Sequence, residues 1–136
     1  MSIQNNCILN VRLSQGTAGT DEDHYIAMPH KGEWKLDAAY FTPNAAVSTS
    51  GTSNLATLNV TQSSTAMVTS QIVKPTANGG TGNLVAGTTI AFAVPAASGA
   101  SREMGQGDVM YVECAKTSSG YAVTGEWTFS FKQIVC

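Results

Sequence analysis

The residues best suited to chemistry begin at Asp21-Glu22-Asp23-His24, three carboxylates followed by an imidazole, a set that could ligate a divalent cation. Consecutive residues of a strand or loop rarely bring their side chains to one point, because neighbours point in different directions. A solvated acidic loop is the expectation there. Glu103 and Asp108 flank Gly105-Gln106-Gly107, but without the ligand spacing of a calcium loop, and they read as a loop entering a strand. The run Gly79-Gly80-Thr81-Gly82 lacks the Gly-Lys-Ser/Thr ending of a phosphate-binding loop and no helical pattern follows it, so it reads as a turn. Ser98-Gly99-Ala100-Ser101 is not a nucleophile elbow. With two histidines and nine carboxylates in all, the chain offers little for acid-base or nucleophilic catalysis. The expectation is a protein with no catalytic residue, no cofactor and no metal; a metal-dependent enzyme is the remotest reading.

Cys7, Cys114 and Cys136 are odd in number and lack metal-ligand or redox spacing. They are read as small apolar core residues, with a bridge between subunits or a reactive thiol as alternatives. Asn59-Val60-Thr61 fits a glycosylation acceptor, a pattern common by chance.

The elements that would carry these residues are strands, since apolar side chains recur with period two almost throughout. Cys7, Leu9, Val11 and Leu13 share one face of a first strand, and Tyr25 to Met28 forms a short second one. Trp34, Leu36, Ala38 and Tyr40 alternate with Lys35, Asp37 and Ala39 up to Pro43. Further strands are expected over Ala56 to Gln62, Met67 to Val73, Thr88 to Val94, Asp108 to Cys114 and Trp127 to Phe131. Loops are expected over Ser14 to Asp23, Asn44 to Asn54, Pro75 to Gly82 and Ala96 to Gly107. The fold class is therefore all-β, an antiparallel, jelly-roll-like β-sandwich of about eight strands. It forms one domain over residues 1–136 with a short N-terminal arm, residues 1–6. Trp34, Tyr40, Phe92, Tyr111, Trp127 and the pair Phe129 and Phe131 are the expected bulky core.

Charged residues make up 12% of the chain, about half the usual share, and the formal charge is −2. Such a chain lacks the positive field that draws proteins to nucleic acid or anionic membranes, so neither is an expected partner. Its surface is expected to be neutral and rich in small hydroxylated side chains, as in proteins packed against copies of themselves. The start of the chain, Met1-Ser2-Ile3-Gln4-Asn5-Asn6, shows no basic segment leading into an apolar run, and synthesis in a cytoplasm is expected.

The stretch Gly32-Glu33-Trp34-Lys35-Leu36-Asp37-Ala38-Ala39-Tyr40-Phe41-Thr42-Pro43-Asn44-Ala45-Ala46, followed by Asn54-Leu55-Ala56-Thr57-Leu58-Asn59-Val60, resembles small tailed-phage capsid decoration, or cement, proteins. Leu84-Val85-Ala86-Gly87-Thr88, Gly107-Asp108-Val109-Met110-Tyr111-Val112 and the turn at Gly120 extend the likeness over most of the chain. The resemblance implies a structural virion protein on the outer surface of an icosahedral head, made in the host cytoplasm and holding major capsid protein subunits together. It also implies a homo-oligomer, a trimer or else a dimer. The arm and the two loops Ser14 to Asp23 and Ala96 to Gly107 could order on binding, which makes Ile3, Gln4, Asn5, Gln15, Thr17, Ser98 and Arg102 candidate capsid or subunit contacts. The alternative is a receptor- or glycan-binding module of a tail fibre, which would need Tyr25, Tyr40 or, best placed beside its turn, Tyr121 on the surface next to Asn or Asp.

Overall fold

A computed structural model describes residues 5–14, 16–51, 55–63, 65–95, 103–117 and 120–134. The alternating segments become ten strands: β1 (Asn6–Leu13), β2 (Glu22–Ala27), β3 (Glu33–Pro43), β4 (Ala56–Gln62), β5 (Thr65–Ala66), β6 (Gln71–Val73), β7 (Ile90–Phe92), β8 (Glu103–Gly105), β9 (Val109–Lys116) and β10 (Gly125–Gln133). A single 3-10 turn, Thr76–Asn78, is the only helical element among the described residues. Every named strand pairing is antiparallel. One sheet runs β1-β10-β3 and ends with β7 and β8 along the far side of β3; the other runs β2-β9-β4 and ends with β5 and β6 along β4. This is the strand order of a jelly roll.

The strand count corrects the expected eight, and the reason is local to two edges. Ten strands occupy eight positions, because the edge beside β4 is split into β5 and β6 and the edge beside β3 into β7 and β8. Between β5 and β6 the chain turns Met67 and Val68 fully inward and sends Thr69 N–H to Ala93 O, just past β7 of the opposite sheet, at 2.8 Å. Gln71 Nε2 donates to Ala91 O at 2.9 Å, a second tie across the same side of the sandwich. The unbroken strand expected from Met67 to Val73 is therefore interrupted where it closes the sandwich. Short, broken edges also limit unwanted strand addition.

Inside, Trp127 is fully buried and touches Phe41, Phe92 and Phe129 with ring centroids 5.5, 4.6 and 5.2 Å away. Leu58, Val60, Met110, Val112 and Cys114 face it from the second sheet, all at zero exposure. Each such large side chain contributes about 1.5–3 kcal/mol on burial. Cys7 is also in this core, and both described cysteines are free thiols.

Two expected core residues lie outside. Asp37 is an extra residue in β3: Ser130 pairs with Ala38 but Phe131 pairs with Leu36, so the register slips by one. Such a bulge inverts which residues face the core on either side of it. Trp34 and Leu36 point in below it, and Ala39 and Phe41 point in above, leaving Ala38 and a 40% exposed Tyr40 on the outer surface. Tyr111 is half-buried on the outside of the second sheet, opposite in sense to Met110 and Val112.

The glycine run ends the 3-10 turn and folds back on β6. Gly80 packs so tightly that a Cβ would sit 2.4 Å from Lys74 O, which is why glycine stands there. Gly82 N–H donates to the same carbonyl at 2.9 Å.

Candidate functional site

Side chains on the outside of the second sheet are placed by strand register. Tyr25 of β2 lies opposite Tyr111 of β9, which lies opposite Thr61 of β4. The two tyrosine rings stack at 4.9 Å and 25°, with Tyr25 71% exposed. One row along, Asp23, Glu113 and Asn59 stand side by side. Tyr111 Oη donates to Glu113 Oε2 at 3.1 Å. Burial, and after it the hydrogen bonds and charges of Asp23 and Glu113, push the Tyr111 phenol well above its ordinary value. It stays a neutral donor, and the carboxylates fix the orientation of its ring.

Beside this pair lies an open cleft of about 580 Å³, lined by Tyr25, Tyr111, Val109, Thr61, Gln62, Ser63 and Asp108. Val109 is 45% exposed and extends the apolar wall. Across from it, Gln62 Oε1 is buried with no hydrogen-bond partner, and Ser63 is the only non-glycine residue with positive φ, at 49°, among the described residues. Asp108 Oδ2 accepts Gly105 N–H at 2.8 Å, which fixes the carboxylate at the mouth of β9. The arrangement is suited to binding: one flat apolar wall faces groups that donate and accept hydrogen bonds.

No family model matches the chain, and neither a curated protein nor a solved structure is significantly similar to it.

The outside of the first sheet has a different character. Ile8 and Asn10 of β1, Thr128 and Ser130 of β10, and Ala38 and Tyr40 of β3 lie in adjacent rows. Ile8 is 54% exposed. Ion pairs stand at its borders, Arg12 with Glu126 at 4.0 Å and Lys132 with Asp37 at 3.6 Å.

Of the contact residues expected from sequence, Ile3, Gln4, Gln15, Ser98 and Arg102 lie outside the described residues. Asn5 is exposed at the start of β1, where its Nδ2 donates to Gln133 Oε1 at 2.8 Å and its carbonyl accepts Gln133 N–H at 2.9 Å. Thr17 is at the far end of β1, its carbonyl accepting Lys116 Nζ at 3.3 Å. A strand of eight residues separates the two by ~26 Å, so they do not share a surface patch.

The acidic run spreads rather than converges. Asp21 Oδ1 accepts Lys116 N–H at 2.7 Å, Glu22 accepts Ser14 N–H and lies 2.5 Å from His24 Nε2, and Asp23 joins the row beside Tyr111. Among the described residues no group of three or more His, Cys, Asp or Glu could hold a metal ion. Tyr121, the tyrosine expected to be best placed for a ligand, is part-buried and committed: its hydroxyl accepts Ser50 N–H at 2.8 Å and donates to Ser50 O at 2.7 Å.

The Tyr25–Tyr111 pair was not expected, since Tyr111 reads as core by size. A signal was present. Glu113 two residues after Tyr111 and Asp23 two before Tyr25 must face water in strands, and period two carries each tyrosine outward with its carboxylate.

Proposed function

We propose that this chain is a structural virion protein that decorates a phage icosahedral capsid and stabilises it by bridging major capsid protein subunits. One observation supports the reading beyond the sequence resemblance: the low-charge outer face of the first sheet, where Ile8, Ala38, Tyr40, Thr128 and Ser130 lie together between two bordering ion pairs. An apolar, small-residue centre with a charged rim is how protein interfaces are built. Several weak copies of such a contact in an oligomer gain avidity from simultaneous engagement, and no chemical step is required. Jelly rolls serve many roles, so the surface and not the fold carries the proposal.

The test begins with light scattering on the purified protein, followed by pelleting with undecorated heads. A stable oligomer that saturates at a fixed ratio to the major capsid protein is the expected result, with Ile8→Asp lowering occupancy while leaving the unfolding midpoint in place. A monomer that does not sediment with heads overturns the reading. The receptor-binding alternative draws on the other surface, the cleft beside Tyr25 and Tyr111.

A further inference from the structure

The outside of the second sheet combines features that a merely solvated face does not need. A tyrosine 71% exposed is propped flat against a second tyrosine whose hydroxyl is anchored by a carboxylate. The aromatic wall continues into exposed Val109 and borders a cleft whose other groups are Thr61, Gln62, Ser63 and Asp108. We propose that this cleft is a binding site for a neutral saccharide, with a pyranose ring stacked on Tyr25 and its hydroxyl edge bonded to Asp108, Gln62 and Thr61.

The ligand class follows from the chemistry of the walls. A pyranose presents a patch of C–H groups on one face and hydroxyls around its rim, and these match a flat aromatic wall facing amide, hydroxyl and carboxylate groups. An aliphatic ligand would fill the apolar side and leave three polar groups of the cleft without partners, at a cost of about 1–3 kcal/mol for each one desolvated. Charge narrows the class further. Among the described residues the cleft lining includes the carboxylate of Asp108 and no cation, and Asp23 and Glu113 stand one row beyond Tyr111. Sialylated, uronate or phosphorylated ligands would meet like charge with no cation among these residues to offset it.

The site is largely pre-formed. Tyr111 is held by Glu113, and Asp108 is held by Gly105 N–H through Oδ2, which leaves Oδ1 for a ligand hydroxyl. Gln62 Oε1 beside the same cleft is buried and has no hydrogen-bond partner among the described residues, so it would accept from a ligand hydroxyl once the side chain turns toward the cleft. The volume of about 580 Å³ is in the range of small-molecule sites. Because the cleft lies on the sheet opposite the face proposed to meet the capsid, a bound particle would present it outward.

The experiment is a glycan array probed with the intact protein, carrying neutral oligosaccharides of glucose, galactose, mannose and N-acetylglucosamine beside sialylated and uronate ones, then titration calorimetry on the hits. At least one neutral oligosaccharide is expected to bind with a Kd of ~1 mM or tighter. Tyr25→Ala should weaken it about tenfold, equivalent to ~1.4 kcal/mol, and Tyr25→Trp should retain it. Val109→Arg, which puts a long side chain into the cleft from its apolar wall, should abolish binding; both positions are exposed enough for the variants to keep the parent's unfolding midpoint. Binding of anionic glycans alone, no neutral glycan bound, or an affinity indifferent to Tyr25→Ala and Val109→Arg overturns the proposal. Capsid pelleting of Tyr25→Ala at the parent ratio would show that this site and the decoration reading stand or fall separately.

Discussion

Removing Asp37 tests whether the bulge alone reconciles the two halves of β3. Without the extra residue, Leu36 and Ala38 become neighbours and pair with Phe131 and Ser130 in an unbroken register. Alternation then keeps Trp34, Leu36, Ala39 and Phe41 inward and Ala38 and Tyr40 outward, as in the parent. Losing the facing of either half would instead forfeit about 3–6 kcal/mol, at ~1.5–3 kcal/mol for each of two large side chains, a large part of the ~5–15 kcal/mol that stabilises a domain of this kind. What the deletion does remove is the 3.6 Å pair of Asp37 with Lys132, whose partners are 47% and 45% exposed. An exposed pair of that kind contributes about 1 kcal/mol or less. The expected fall in Tm is therefore no more than ~4 °C, taken at roughly 3–4 °C per kcal/mol. Trp34 is 5% exposed and Trp127 fully buried, so intrinsic fluorescence during thermal and urea unfolding reports the change. Asp37→Ala is the control: it keeps the bulge, removes only that pair and should shift stability by the same small amount. If the deletion lowers Tm by ~10 °C or more while Asp37→Ala does not, the two halves of the strand do not join in one register without the extra residue and the reasoning fails.

Two other outcomes are expected. Gly125→Ala would place a Cβ 2.3 Å from Thr42 O and 2.9 Å from Pro43 Cα, backbone atoms that cannot swing aside, so the urea midpoint should fall by the equivalent of ~2 kcal/mol or more; an unchanged midpoint would mean that β10 and β3 can part at that point without loss. Burial pushes the Cys114 thiol from 9.0 up to about 11, so on raising the pH the unfolded chain loses its proton first and folding stability drops. The loss should develop between pH 9 and pH 11 and approach about 2.7 kcal/mol, at ~1.36 kcal/mol per pKa unit. Tyr111, whose phenol is also held protonated, adds to the same slope. Urea unfolding at stepped pH should show the decline, flattened in Cys114→Ala; a pH-independent midpoint would contradict the assignment.

Much of the architecture was legible because it is local. Period-two alternation sets the faces of Cys7 to Leu13, Ala56 to Gln62 and Trp127 to Phe131 without reference to any neighbour, and each pattern recurs in β1, β4 and β10. Low charge and the absence of helical periodicity led to the all-β sandwich for the same reason. The orientation of Tyr111 was also accessible in principle, through the carboxylate at Glu113, but reading aromatic bulk as a mark of the core overrode it.

Pairing between distant segments settled the rest. No residue type announces the bulge at Asp37; it exists because Ser130 and Phe131 pair with residues that are not consecutive, a choice made by two strands together. The interruption between β5 and β6 likewise answers to the other side of the sandwich, through the bond from Thr69 N–H to Ala93 O. The stacked tyrosines follow the same rule: Tyr25 and Tyr111 are 86 positions apart in the chain and become neighbours only when β2 takes its register on β9. Composition and alternation act over a few residues, and so they determine which side of a strand is wet. A site assembled across strands depends on register, which is set by packing of the whole core.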